Sequence, residues 1–172
     1  MHPELHPGRR ILVIDDNRAI HEDFQKIFAA SGDAEVIQGL EVALFGDAPR
    51  TVAPDRLTID SAYQGQEGLA LVERAVAEGR PYPMAFVDVR MPPGWDGIET
   101  IGHLWEKDPD LQVVICTAYS DYSRTDMHRR LGQTDRLVIL KKPFETIEVL
   151  QLAGALTEKW RLLQQTRLHV HE

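Results

Sequence analysis

Residues 11–16 read Ile-Leu-Val-Ile-Asp-Asp, four apolar side chains in unbroken succession followed by two adjacent carboxylates. A strand with one face in water alternates apolar and polar residues, whereas a strand covered on both faces reads as a continuous apolar run. The same form recurs along the chain. Met84-Ala85-Phe86-Val87 runs into Asp88, Leu111 to Cys116 into Thr117, and Leu137 to Leu140 into Lys141-Lys142-Pro143. Leu57-Thr58-Ile59, leading to Ala62 and Tyr63, is a weaker version. Helical patterns lie between these runs. Ile20, Phe24, Ile27 and Phe28 form one stripe closed by Ser31-Gly32, and Gly68 to Ala77 is stopped by Gly79 and Pro81. A third helix extends from near Asp96 to Trp105 before Asp108-Pro109, a polar one holds Met127 and Leu131, and a long one runs from Glu145 to about Arg167. Buried-type strands alternating with helices predict an α/β fold with a parallel sheet covered on both sides. Five such units in this order suit a flavodoxin-like doubly wound five-stranded sheet, strand order 2-1-3-4-5, with an extended C-terminal helix.

The 172 residues favour one domain with additional pieces. A polar lead covers 1–9, the main domain 10–156, and a helical extension or linker to an output domain 157–172. The hydrophobic fraction of 43% supports a substantial core. A formal net charge of −8 argues against direct contact with nucleic acid, which demands a basic patch. The single cysteine, Cys116, sits inside an apolar run and reads as a small core residue in a reducing compartment. With no signal-like N-terminus and no apolar run of membrane-spanning length, the expectation is a cytoplasmic domain without membrane contact.

In a parallel sheet all strand ends share one edge, so Asp15, Asp16, Asp88, Thr117 and Lys142 are expected to converge there. Three neighbouring carboxylates repel one another unless a cation lies among them. Mg2+ suits them, as a hard ion that takes a few carboxylates and keeps several waters. One carboxylate can then act as a nucleophile toward phosphorus and form an acyl phosphate, while an ammonium and a hydroxyl hold phosphoryl oxygens. Taken alone, Asp15-Asp16 also fits a plain helix cap, and Thr117 an ordinary strand-end threonine.

Four stretches in order carry a resemblance: Ile11–Asp16 (ILVIDD), Phe86–Gly97 (FVDVRMPPGWDG), Val113–Ala118 (VVICTA) and Leu140–Phe144 (LKKPF). Together they thread residues 10 to about 156, and the chain resembles a response-regulator receiver domain of the chemotaxis-regulator type in two-component signalling. The resemblance implies that Asp88 is the phosphoacceptor and that Asp15 and Asp16 hold Mg2+, with the backbone carbonyl of Arg90 as a further ligand. It implies that Thr117 is the hydroxyl switch residue and Lys142 the phosphate-facing lysine, its bond to Pro143 cis. The implied partners are a histidine kinase or phosphotransfer protein as donor and an attached or separate output. Such a domain helps catalyse its own phosphorylation and dephosphorylation but turns over no metabolite. A pseudo-receiver scaffold is the alternative within the fold, against which the complete acidic pocket argues. A haloacid-dehalogenase-type phosphatase is the alternative enzyme; it wants Asp-x-Asp after the strand, where this chain has Asp15-Asp16-Asn17.

Three features depart from the family pattern. Ile139 stands where an aromatic switch residue is usual, the loop VRMPPGWDG is one residue longer, and residues 33–56 form an insertion. In that insertion Val36, Leu40, Ala43 and Leu44 have helical spacing, and helix and loop both remain open. The Arg90 side chain is equally open, either overhanging the site or pointing outward. The seven histidines show no ligand spacing, and each reads as surface or terminal. Val149, Ala153, Leu156, Trp160 and Leu163 follow alternating steps of four and three. That spacing predicts an output lever and a homodimer seam, with the helix beyond about Lys159 projecting past the core; the alternative is that Trp160 and Leu163 fold back on the domain.

Overall fold

The computed structural model describes residues 10–31, 57–118, 129, 131 and 135–170. Within them the chain runs β1 (Arg10–Ile14), α1 (Arg18–Ser31), β2 (Thr58–Ala62), α2 (Gly65–Ala77), β3 (Met84–Asp88), α3 (Gly97–Lys107), β4 (Gln112–Thr117), β5 (Leu137–Lys141) and α4 (Thr146–Val170). The 1–9 lead, the 33–56 insertion and most of the polar helix around Met127 lie outside the described residues. All strand pairs are parallel, and their order is β2-β1-β3-β4-β5, as the sequence pattern predicts.

The unbroken apolar runs follow from two cores, one on each face of the sheet. Successive side chains of a strand point to opposite faces. Leu12 and Ile14, Ala85 and Val87, and Val113 and Ile115 therefore meet Val72, Ile101 and Leu104 from α2 and α3. Ile11 and Val13, Met84 and Phe86, and Val114 and Cys116 meet Phe24 and Phe28 of α1 and Val149, Ala153 and Leu156 of α4. Phe86 anchors the second core, with its ring centroid 4.7 Å from that of Phe24. Gly68 lets α2 lie close on β1, because a Cβ there would collide with the Ile14 side chain.

Helix α2 begins three residues earlier than the apolar pattern indicates. Its first turn is secured by backbone, the Gly68 N–H donating to the Gln64 carbonyl. Asp96 caps α3, its side chain accepting from the Glu99 N–H at 2.7 Å, which places the helix start where the sequence puts it.

Helix α4 differs from expectation. It keeps contact with the domain beyond Lys159. Trp160 is buried at 3% exposure, alongside Val149, Ala153 and Leu156, so four of the five residues read as a dimer seam are covered by the chain's own domain. Farther along, Arg167 Nη2 lies 2.6 Å from Asp110 Oδ1, and Gln164 Nε2 donates to Asp110 Oδ2 at 3.2 Å. Lys159 donates to the Asp135 carbonyl. These contacts tie the helix to the turns before β4 and β5. Among the described residues no helix is long and apolar enough to cross a membrane.

Candidate functional site

The sheet delivers its polar residues to one edge. Asp15 follows the last residue of β1, Asp88 is the last of β3, and Lys142 follows β5. Asp15, Asp16 and Asp88 each bring a carboxylate oxygen within 4.8 Å of the others, with Asp15 and Asp88 buried and Asp16 exposed. Lys142 Nζ donates to Asp88 Oδ1 at 2.8 Å and lies 3.7 Å from Asp15 Oδ2. Thr117 ends β4, buried, and its carbonyl accepts from the Lys142 N–H at 2.8 Å, which sets where the lysine leaves the strand. The Lys142–Pro143 bond is cis. Lys141 pairs with Thr117 across the ladder and is exposed, leaving Lys142 as the lysine that enters the pocket.

Asp15 is gripped at several atoms. Its N–H donates to the Ala62 carbonyl at 3.1 Å, and its Oδ1 accepts from the Asn17 N–H at 2.8 Å. Gly97 seats the start of α3 beside Asp88, since a Cβ would strike the Asp88 carbonyl, and its N–H donates to the Val89 carbonyl at 2.8 Å. Arg90 lies two residues beyond Asp88 and is exposed. Ile139 is half-buried against the α2–α3 core. Trp95, in the loop before α3, stacks on His103 with centroids 4.1 Å apart.

The histidine reading needs one correction. His21 is buried at 3% exposure, its Nε2 2.7 Å from the Asp15 carbonyl oxygen and its Nδ1 2.8 Å from Ser61 Oγ. It precedes Phe24 and Phe28 by three and seven positions, on the buried stripe of α1. That spacing is the signal in the sequence that marks this imidazole as buried. His2, His6, His128 and His171 fall outside the described residues.

The electrostatics of the pocket are unbalanced. Burial pushes Asp88 up to about 6, with the charges of Asp15 and Asp16 adding to the rise and the bond to Lys142 opposing it. Burial likewise raises Asp15, against the Asn17 N–H and the Lys142 charge. For Lys142, burial lowers the ammonium, yet the hydrogen bond to Asp88 and the charges of Asp88 and Asp15 outweigh it, leaving the lysine above its ordinary value. Among the described residues, the Lys142 ammonium meets Asp88 and Asp15 within a cluster of three carboxylates. The donor set is all hard oxygen with an excess of negative charge, which fits a small divalent ion such as Mg2+.

Comparison with known proteins identifies the family. The family model of the response regulator receiver domain matches residues 49–153, more than half of the chain. The match begins after Asp15 and Asp16, so that pair joins the site through geometry. The chain is 28% identical over 153 residues to the response regulator MprA of Mycobacterium ulcerans, covering 89% of this chain and 52% of that protein. It is 31% identical over 131 residues to the C4-dicarboxylate transport transcriptional regulatory protein DctD of Pseudomonas aeruginosa, covering 74% and 27%. The chain spans about half or less of the length of the curated relatives it matches. A CheY-like response regulator receiver domain protein from Methanospirillum hungatei superposes with a TM-score of 0.63 at 18% identity, covering 90% of this chain and 97% of that one. At that identity the likeness speaks for the fold alone.

Proposed function

Because the chain belongs to the response regulator receiver domain family, we propose that it accepts a phosphoryl group on Asp88 from a phosphohistidine of a kinase or phosphotransfer protein and passes that state to an output. The observation that carries this reading is the 2.8 Å bond from Lys142 to Asp88 inside a cluster of three carboxylates. In the transfer, a carboxylate oxygen of Asp88 forms a bond to phosphorus as the phosphorus–nitrogen bond of the donor breaks and the imidazole leaves. Asp88 attacks as the ionised carboxylate, held in place by the Lys142 ammonium.

Lys142 holds the carboxylate in place before transfer and donates to the phosphoryl oxygens afterwards. Thr117, at the end of the neighbouring strand, offers a hydroxyl to the same oxygens. Mg2+ held by Asp15, Asp16, Asp88 and the Arg90 carbonyl would offset charge on the transferring group. With Ile139 in the place of an aromatic residue, the switch rests on Thr117 and the re-pairing of Lys142. Phosphorylation adds nearly two negative charges and strong acceptors, enough to redraw both contacts.

The experiment is incubation with a small phosphodonor, acetyl phosphate, followed by intact mass. One phosphoryl group is expected on the wild type with Mg2+, and none on Asp88→Asn or under chelation. Full phosphorylation of Asp88→Asn would sink the assignment.

A further inference from the structure

We propose that His21 is a positioning residue for the acidic pocket, fixing the peptide group that joins Asp15 to Asp16 so that both carboxylates are presented together. This rests on reading that pair as the cation-binding one. The carbonyl that His21 Nε2 approaches at 2.7 Å is that of Asp15, part of the Asp15–Asp16 peptide plane. A rotation of that plane moves both carboxylates at once.

β2 ends at Ala62, whose carbonyl takes the Asp15 N–H. The Asp15 carbonyl lies at the end of the ladder in buried surroundings, where an unmade hydrogen bond is costly. α1 meets that need by turning His21 inward. A carbonyl oxygen only accepts, so Nε2 must carry the hydrogen. In the neutral ring Nδ1 then accepts from the Ser61 hydroxyl at 2.8 Å.

Tyr63 limits rotation of the ring, its centroid 4.5 Å from that of His21. The Arg18 guanidinium in turn lies 4.3 Å from the Tyr63 centroid. With the N–H held by Ala62, the carbonyl by His21 and Oδ1 by Asn17, Asp15 keeps Oδ2 directed toward Lys142 and the pocket. Outer contacts of this kind orient metal ligands and set affinity without touching the ion.

The test is calorimetric titration of the unphosphorylated full chain with Mg2+. It compares the wild type with His21→Phe, His21→Gln and Ser61→Ala, and measures each variant's thermal midpoint in EDTA. His21→Phe keeps the ring but loses the donor, and should weaken Mg2+ binding about tenfold or more. His21→Gln retains an N–H donor and should recover to within about threefold of wild type, whatever its thermal midpoint. Ser61→Ala should weaken binding by an intermediate factor, and with His21→Gln it carries the test if His21→Phe does not fold. A glutamine variant no better than phenylalanine, or Ser61→Ala with wild-type affinity, would overturn the positioning role. So would wild-type affinity in His21→Phe, and each of these results leaves the pocket's cation role standing. Absence of Mg2+ binding in the wild type would overturn that role, and this proposal with it.

Discussion

Replacing Asp88 by asparagine should make the metal-free protein more stable at pH 7.5, although it removes a buried, hydrogen-bonded side chain. Burial, with Asp15 and Asp16 adding like charge, holds Asp88 at about 6 against an ordinary 3.8. Below the unfolded value both states carry the proton and ionisation costs nothing. As pH rises toward 6 the unfolded chain has lost the proton while the folded chain still holds it, so stability falls across that window and levels off above it. A shift of about two units corresponds to about 3 kcal/mol as a ceiling. Asparagine avoids that penalty but gives up a charge-assisted bond to Lys142, so a net gain of about 1–2 kcal/mol is expected. The assay is urea unfolding of both proteins in EDTA from pH 4.5 to 8. The gap between them should open between about pH 4 and 6 and stay constant above 7; Asp108 titrates in both proteins and cancels in the difference. Saturating Mg2+ should reverse the order by stabilising the wild type more. A variant less stable than wild type at pH 7.5 in EDTA, or a gap independent of pH, would refute the reasoning.

Two further outcomes follow from the structure. Burial also pushes Asp108 up to about 6, against the Asp110 N–H, and its Oδ2 has no hydrogen-bond partner among the described residues. Asp108→Asn should therefore flatten the fall in stability between about pH 4 and 6, visible as a weaker pH dependence of the urea midpoint, without affecting Mg2+ titration. Trp160→Ala should cost about 3–5 kcal/mol of stability as a core truncation. The concentration dependence of its sedimentation should match that of wild type, whereas a seam residue would change association and leave stability nearly intact.

The stripe on α4 shows where sequence reasoning stops. Steps of four and three report that one side of a helix is covered, because apolar side chains at those positions share a face. They carry no information on what covers it, and in this chain Val149, Ala153 and Leu156 are covered by the domain's own sheet and α1. His21 is the complementary case. Its partners are the Asp15 carbonyl, six positions away, and Ser61, forty positions away, and neither contact leaves a periodic trace in composition.

The features legible along the chain are local and repetitive. Runs such as Ile11–Ile14 and Met84–Val87 state that both faces of a strand are buried, because every side chain, odd and even, is apolar. From that come the parallel sheet, its helical cover and the placing of Asp15, Asp88, Thr117 and Lys142 on one edge. How these groups meet depends on the packing of distant elements. Lys142 bonds Asp88 across 54 positions of chain, and Asp108, in the turn before β4, has its own raised pKa. Burial and the distance between charges set those properties, and both depend on how the elements pack in three dimensions rather than on any spacing along the chain.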